Sequence, residues 1–364
     1  MSRTVALALA LALASACNPA LRVGVVLPET GDAAVYGASI KSGVRLAFDR
    51  VQAGPPALEV SYRDSGSDPA RAAAAADALY DAGALLVIGG ATSAEAAAMI
   101  PVADRQRRPL LSPSASAPDL TRRSRLFFRV YPSDELEGVK AAELLARERR
   151  CRTVLIVRED TAYTRGLLPV FIRELTSLGA RVAGSVQLDE TGWQAALRRA
   201  LADSPPDGIY LCGYGEAFLA GLRAVRTLGF RGTVCATSAI NASPILQRAG
   251  TLAEGVYLPL AGLDLESAQG PARAFVRDYQ RVYNLPPDIY AAHGYDAALV
   301  AVAALAAPGG RGGADLAARL RALRGLRGVT GPLGFDEDGD TRHALRDHWV
   351  RHGRVEEVEP PPER

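Results

Sequence analysis

Short apolar runs alternate with helix-length amphipathic segments along most of this chain. The run at 22–28 (RVGVVLP) is rich in β-branched residues, and the apolar residues of 37–51 recur at helical spacing. The same rhythm of strand, helix and strand continues to about residue 260. It is typical of parallel sheets that carry helices on both faces, and we therefore predict an α/β fold.

The rhythm restarts once, near Tyr131, which predicts two α/β units. The predicted strands are 22–28, 58–63, 85–88, 109–112, 153–157, 181–186, 208–211, 234–237 and 256–259. The predicted helices are 37–51, 68–82, 94–105, 134–149, 165–178, 193–202, 216–228, 270–283, 291–307 and 316–323. A hairpin around Gly353 pairs 349–351 with 355–358, and the tail 359–364 is predicted to be disordered.

The N-terminus has the pattern of an export signal. Arg3 precedes an apolar run at 5–13, small residues fill 14–16, and Cys17 follows. The run is too short to span a membrane, and we expect no later segment to be long and apolar enough to do so. The cysteine resembles that of a bacterial lipobox, although Ala14 stands where that motif has Leu. Residues 1–17 are therefore predicted to be a lipoprotein-type signal peptide with lipidation at Cys17; the alternative is an ordinary secretory leader.

Composition narrows the classes of function. The chain has 364 residues, 48% of them hydrophobic and 23% charged, with a net charge of +2. Such a chain has a real core and no basic field for nucleic acid. Beyond Cys17 the cysteines are Cys151, Cys212 and Cys235; a disulfide between the last two is possible, and their spacing predicts no zinc site.

Motifs of catalysis and cofactor binding are missing from the sequence. It has no Walker loop, no G-x-S-x-G elbow and no G-x-G-x-x-G after a strand. His343, His348 and His352 do not share a helical face. We therefore predict a protein that is not an enzyme and that holds neither a cofactor nor a metal ion.

Two hydroxyl-rich loops follow neighbouring predicted strands. They are 89–93 (GGATS) and 113–119 (PSASAPD), and a helix or helical turn follows each. In open α/β sheets ligands lie outside the carboxyl ends of the strands, and helix N-termini favour anions. Ser93 and Ser116 could instead merely cap helices, but two such loops at adjacent strand ends predict a site for a carboxylate.

Eight phrases, taken in order, give the chain a family resemblance. They are 25–43 (VVLPETGDAAVYGASIKSG), 64–69 (DSGSDP), 88–93 (IGGATS), 111–120 (LSPSASAPDL), 127–134 (FFRVYPSD), 160–166 (DTAYTRG), 294–297 (GYDA) and 328–340 (GVTGPLGFDEDGD). Together they resemble type I periplasmic solute-binding proteins of the branched-chain amino acid ABC transporter group. The resemblance implies two lobes of mostly parallel sheet joined by three crossings, near 131–133, 259–262 and 331–335. Lobe one would comprise 21–131 and 260–331, and lobe two 132–259 and 332–358.

The resemblance also implies a set of ligand-binding residues between the lobes. Lobe one would supply Ser93, Ser114 and Ser116 for a carboxylate, with Tyr36 in the same cleft, and lobe two would supply Tyr163 and Tyr214. Amino-acid-binding members carry a carboxylate for the ligand ammonium at the position of Ser238, and 237–243 (TSAINAS) contains no acidic residue. Because an unpaired buried ammonium is costly, this departure argues against an α-amino acid and for another acid, an amide or a small peptide.

The resemblance implies the extracytoplasmic substrate-binding component of an ABC importer. Its partners would be a small carboxylate-bearing or amino-acid-like solute and the permease and ATPase subunits. It would be periplasmic, with membrane contact only through an N-terminal lipid anchor. A sensory or regulatory lipoprotein on the same fold, binding a protein partner, is the alternative.

Overall fold

A computed structural model describes residues 20–51, 58–261, 270–307, 312–341 and 343–358. The signal peptide, Cys17 and the tail therefore lie outside the described residues. Within them, the predicted α/β fold is confirmed: two sheets of mostly parallel strands are each covered by helices.

The first sheet has the strand order β2-β1-β3-β4-β5, and all its pairs are parallel. Its strands are β1 (Leu21–Leu27), β2 (Leu58–Asp64), β3 (Leu86–Gly89), β4 (Leu110–Ser112) and β5 (Phe127–Arg129). The intervening helices are α1 (Ala34–Val51), α2 (Pro69–Asp81), α3 (Ser93–Gln106) and α4 (Leu120–Arg123). We call this sheet, with the helices packed on it, the first lobe.

The second sheet has the order β14-β13-β10-β9-β8-β6-β7 and ends in an antiparallel hairpin. Its strands are β6 (Thr153–Arg158), β7 (Arg181–Gln187), β8 (Gly208–Cys212), β9 (Thr233–Ala236), β10 (Val256–Ala261), β13 (Leu345–Arg351) and β14 (Arg354–Glu357). The intervening helices are α5 (Asp134–Glu143), α6 (Ala162–Ser177), α7 (Trp193–Asp203), α8 (Gly215–Thr227) and α9 (Ser243–Ala249). This sheet and its helices form the second lobe.

Three helices return to the first lobe after β10. They are α10 (Pro271–Tyr283), α11 (Ile289–Ala306) and α12 (Gly313–Ala322), and the short strands β11 (Leu326–Arg327) and β12 (Pro332–Leu333) follow. Side chains alternate across the sheet as the strand period requires: Leu86 and Ile88 pack in the cluster that contains α1 and α11, and Val87 packs against α2 and α3. The first lobe is therefore doubly wound.

Several element boundaries differ from the prediction. Helix α6 begins at Ala162, with Thr161 as its N-cap, and α5 continues beyond Glu143 as a π-helical turn, Leu144–Glu148. Strand β5 and the short strands β11 and β12 were not predicted, and β13 is longer than the predicted 349–351. The short apolar runs of these strands carry too little periodicity to be recognised alone.

The contacts of residues 335–340 favour a third crossing later along the chain than the resemblance implied. Phe335 packs against Phe128, and Asp340 bonds Arg129 and Thr121, so these residues contact the first lobe. Strand β10 pairs with β13 as far as Ala261, beyond the predicted boundary at 259. The lobe boundaries stay a prediction, and we propose to place the third crossing between Thr341 and Leu345.

Cys151, Cys212 and Cys235 are all buried free thiols. Cys212 and Cys235 lie on the neighbouring strands β8 and β9, as predicted, but Tyr210 is the residue paired with Cys235, so the two cysteines are two positions out of register. The disulfide that the sequence allowed is absent between them.

Helix α11 is the core helix of the first lobe. Its length and composition would allow it to cross a membrane, which corrects the expectation that no later segment would pass that test. However, 78% of it is buried inside the protein, packed against α1. The backbones of the two helices approach closely at Gly43 and Gly294, where an added Cβ would lie 1.9 Å from the Ala291 carbonyl oxygen and 2.3 Å from the Ile40 carbonyl oxygen.

This close approach predicts that Gly43→Ala destabilises the protein by about 3 kcal/mol, because α1 and α11 must separate to admit the methyl group. Chemical denaturation would measure the change in free energy of unfolding. Arg45→Ala, at an exposed position of the same helix, is the control and should change stability by less than about 0.5 kcal/mol. Equal stability of the two variants would show that the helices are not in tight contact.

Candidate functional site

Residues from both lobes enclose one small cavity. Its lining includes Tyr36, Ser114, Ser116, Tyr163, Tyr214 and Ser238, six of the seven residues implied by the resemblance. Ala91, Thr92, Tyr131, Ala239 and Tyr290 complete it. The cavity volume is about 20 Å³, far below the roughly 300 Å³ or more of an ordinary ligand pocket. A solute can occupy it only when tyrosine side chains move or the lobes separate.

The first-lobe wall is built by the two predicted hydroxyl loops. Ser114 donates its hydroxyl to the Ala91 carbonyl at 2.6 Å, which ties the loop after β4 to the loop after β3. Ser93 does not line the cavity; its hydroxyl accepts from the Ala117 amide at 3.2 Å and supports the loop from behind. Ser93 therefore has a positioning role in this geometry.

Ser93 and Ser116 do not cap the helices that follow them. Thr92 is the N-cap of α3, and it forms a capping box with Glu95. Helix α4 has Asp119 as its N-cap, without a side-chain hydrogen bond. The capping interpretation of Ser93 and Ser116 is therefore wrong, and Ser116 instead faces the cavity.

Arg129 is a buried cation behind the loop 113–119 after β4, which we call the serine loop. The sequence analysis missed this residue. The side chain is fully buried at the end of β5. Its guanidinium donates to the Ala117 carbonyl at 2.8 Å and forms a salt bridge with Asp340, while its backbone N–H donates to Gly339. It thus connects the serine loop to the chain segment that leads into the third crossing.

The second-lobe wall is aromatic, with one hydroxyl. The rings of Tyr163 and Tyr214 stack at 5.3 Å between centroids. Tyr163 comes from the first turn of α6 and Tyr214 from the N-cap of α8, so both lie at carboxyl ends of strands in the second sheet. Ser238 begins a 3-10 turn directly after β9.

Tyr36 joins the two walls. Its hydroxyl accepts from the Gly215 amide at 3.2 Å and donates to the Ala239 carbonyl at 3.4 Å, and both partners belong to the second lobe. Its ring also packs edge-on against Tyr214 and Tyr290, at 5.7 and 4.9 Å. The structure therefore has the lobes in contact across the cleft.

Tyr131 and Tyr290 belong to the lining although they were not among the predicted site residues. Their rings stack at 6.0 Å, and Tyr131 also contacts His293. Tyr131 lies between β5 and α5, and Tyr290 lies in the first turn of α11. The five tyrosines that line the cavity are far apart in the sequence, so no local sequence pattern could have grouped them.

Two carboxylates of α5 lie buried beside the cavity. Glu137 accepts from the Ser238 amide at 2.9 Å, from the Ser238 hydroxyl at 2.7 Å and from the Tyr163 hydroxyl at 3.2 Å. Asp134 is fully buried, and neither of its carboxylate oxygens has a hydrogen-bond partner of good geometry, although Ser116 lies close by.

The environment of these two acids favours their neutral forms. Burial raises the pKa of Glu137. Burial, and then the charge of Glu137, raise the pKa of Asp134 well above its usual value, against the opposing charge of Arg129. A cation placed beside them would reverse this preference.

A larger cavity, of about 780 Å³, lies elsewhere, between α9, α10 and the C-terminal hairpin. None of the predicted site residues lines it. Across the described residues no group of His, Cys, Asp or Glu has the geometry of a metal site. The small cavity between the lobes is therefore the candidate site.

The contacts of Arg129 predict that Arg129→Met lowers the free energy of unfolding by about 3 kcal/mol, because Asp340 and the loop carbonyls lose their cation. Arg122→Met, an exposed position nearby, is the matched control and should stay within about 0.5 kcal/mol of the parent protein. Urea denaturation of both variants measures this. Coincident unfolding curves for the two variants would contradict an organising role for Arg129.

Comparison with known proteins gives the family. A leucine-, isoleucine-, valine-, threonine- and alanine-binding protein of Pseudomonas aeruginosa is 25% identical over 89% of this chain and 87% of its own length. The crystal structure of a leucine-binding protein, LivK, from Thermotoga maritima superposes with a TM-score of 0.87 at 26% identity, over 93% of this chain and 98% of that one. A solute-binding protein from R. palustris in complex with benzoate shares the fold, with a TM-score of 0.84 at 21% identity, over 93% of this chain and 96% of that one. A family model described as periplasmic binding protein matches residues 20–354, and the chain therefore belongs to that family.

Proposed function

We propose that this protein is the substrate-binding component of an ABC importer and that it captures a small carboxylate-bearing or amino-acid-like solute between its lobes. The observation that carries the proposal is the cavity itself, to which both lobes contribute hydroxyl and aromatic side chains. Family membership and relatives that bind amino acids support it. They also agree with the prediction that the protein is not an enzyme.

The geometry suggests how binding and lobe closure are coupled. The hydroxyl loops of Ser114 and Ser116 stand on one side of the cleft, and Tyr163, Tyr214 and Ser238 on the other. A ligand that contacts both sides stabilises the closed form over the open one, because only the closed form offers both sets of contacts. Closure would then be the signal that a permease recognises.

The partners and location follow from the same proposal. A periplasmic binding protein works outside the cytoplasm, and the permease and ATPase subunits would receive its solute. Lipidation of Cys17 would hold the protein at the membrane while both lobes remain in the aqueous phase. The sensory alternative has no particular observation in its favour.

Binding of a carboxylate by the first-lobe loops predicts that Ser116→Ala weakens affinity roughly tenfold, the effect of losing one hydrogen bond to a charged group. A thermal-shift screen of amino acids, aromatic acids, amides and short peptides would first identify a ligand, and calorimetry would then compare variants. Ser177→Ala, an exposed serine on α6, is the control and should bind as the parent does. Unchanged affinity in a folded Ser116→Ala protein would remove Ser116 from the site.

Lipidation predicts that Cys17→Ser moves the protein from the membrane fraction to the soluble fraction after export. Detergent-phase partitioning and mass spectrometry of the mature N-terminus measure this. A parent protein found in the soluble fraction, without a lipid at Cys17, would support an ordinary secretory leader instead.

A further inference from the structure

The acids of α5 carry an inference about the ligand that rests on the proposed function. Asp134 and Glu137 are three residues apart on one helix, so both side chains project from the same face. Glu137 contacts Ser238 by accepting a hydrogen bond from its amide. Asp134 contacts the serine loop, because its own amide donates to the Ser116 carbonyl at 2.8 Å. The pair therefore lies where the two lobes join, behind the cavity wall.

The described part of the protein provides no hydrogen-bonded cation for this pair, and burial therefore favours its neutral forms until a cation is placed beside it. Among the described residues no lysine or arginine side chain donates to either carboxylate. The charge of Arg129 acts on Asp134, but its guanidinium binds Asp340 and the Ala117 carbonyl, and its Nη2 donates to no group among the described residues. Buried carboxylates without a cation are costly, so this corner of the cavity favours a positive group.

The lining of the cavity favours a positive group as well. Five tyrosine rings surround it, and the faces of aromatic rings attract cations. Tyr163 links the acid to the aromatic lining, since its hydroxyl donates to Glu137 while its ring lines the cavity. In the first lobe the Ser114 hydroxyl already donates to the Ala91 carbonyl, so an anionic group would be bound at Ser116.

Ser238 stands between the acid and the cavity. Its amide and its hydroxyl both donate to Glu137. Tyr131 is a further hydrogen-bond partner of the Ser238 hydroxyl, and an Oγ atom with two lone pairs can still accept one more bond. A ligand ammonium can therefore donate to Ser238, with the Glu137 carboxylate directly behind it. The fold brings this carboxylate from 101 positions earlier in the chain to the place where the sequence shows only a serine.

We infer that Glu137, acting through Ser238 and assisted by Asp134, supplies the counter-charge for an ammonium group, and that the cavity accepts an amino acid in preference to the matching acid without its amine. This reverses the argument against an α-amino acid that the sequence of 237–243 suggested. Glu137 is then a specificity-determining residue that a search near Ser238 could not find.

Matched pairs of ligands test the inference on the parent protein. Calorimetry would compare leucine with 4-methylpentanoate and phenylalanine with 3-phenylpropanoate. We expect at least one α-amino acid to bind roughly 10- to 100-fold more tightly than its amine-free partner, the range expected for one charged hydrogen-bonding group. Equal or tighter binding of the amine-free acids would overturn the inference while leaving the proposed function intact.

Glu137→Gln tests the residue itself, because it keeps the size of the side chain and removes its charge. It should weaken the amino acid by roughly 10- to 100-fold and leave the amine-free acid unchanged or tighter, so that the ratio between them collapses. Glu135→Gln is the matched control: the same change on the same helical turn, at an exposed side chain paired with Arg173. It should not alter the ratio.

The outcomes separate the two levels of proposal. An equal loss for both ligands of a pair would make Glu137 a structural residue only and would overturn the inference. If Glu137→Gln fails to fold, the ligand pairs on the parent protein still decide. If no amino acid and no carboxylic acid of the panel binds the parent protein, the proposed function fails as well as the inference.

Discussion

The buried guanidinium of Arg129 is the interaction on which the candidate site depends. A fully buried cation must be hydrogen-bonded and paired, and Arg129 achieves this through the Ala117 carbonyl and Asp340, although its Nη2 has no partner among the described residues. Those partners come from the serine loop and from the segment leading to the third crossing. The same contacts that neutralise the charge therefore fix the loop that carries Ser114 and Ser116. The charge of Arg129 also acts on Asp134, but no Arg129 nitrogen donates to that carboxylate among the described residues, and burial still favours the neutral forms of the two acids of α5.

The site exists only where the lobes meet. The hydroxyl of Tyr36, from the first lobe, bonds backbone groups at Gly215 and Ala239 of the second. Separation of the lobes would expose these groups to water and would also divide the cavity lining into two halves. Because such hydrogen bonds are replaced by bonds to water, their net contribution is about 1 kcal/mol each. Contacts of this strength allow the cleft to open for a solute. The free energy of ligand binding then determines the equilibrium between the open and closed forms.

The fold and much of the cavity lining could be predicted from the sequence, because both depend largely on patterns among neighbouring residues. Strand and helix periodicity is a property of neighbouring residues, and loops at the carboxyl ends of parallel strands must share one edge of the sheet. Ser114 and Ser116 follow from that rule, whereas Tyr163, Tyr214 and Ser238 came from resemblance. Glu137 could not be found in either way. Acidic residues in the first turn of a helix are common because they complement the helix dipole, and they ordinarily face solvent. Only the packing of α5 against Ser238 distinguishes Glu137 from the exposed Glu135 beside it.

The buried acids of this site stand on α5 and not on the turn after β9, and this difference changes how the site would respond to its ligand. A carboxylate on the 3-10 turn after β9 would belong to the second lobe alone. Asp134 and Glu137 instead stand in the first turn of α5, where the amide of Asp134 already bonds the Ser116 carbonyl of the first lobe. If this pair balances a ligand ammonium, its charge would act at a contact between the lobes as well as in the cavity. A cation in the cleft would then remove an electrostatic cost at this contact, and charge recognition would favour lobe closure through the same two side chains.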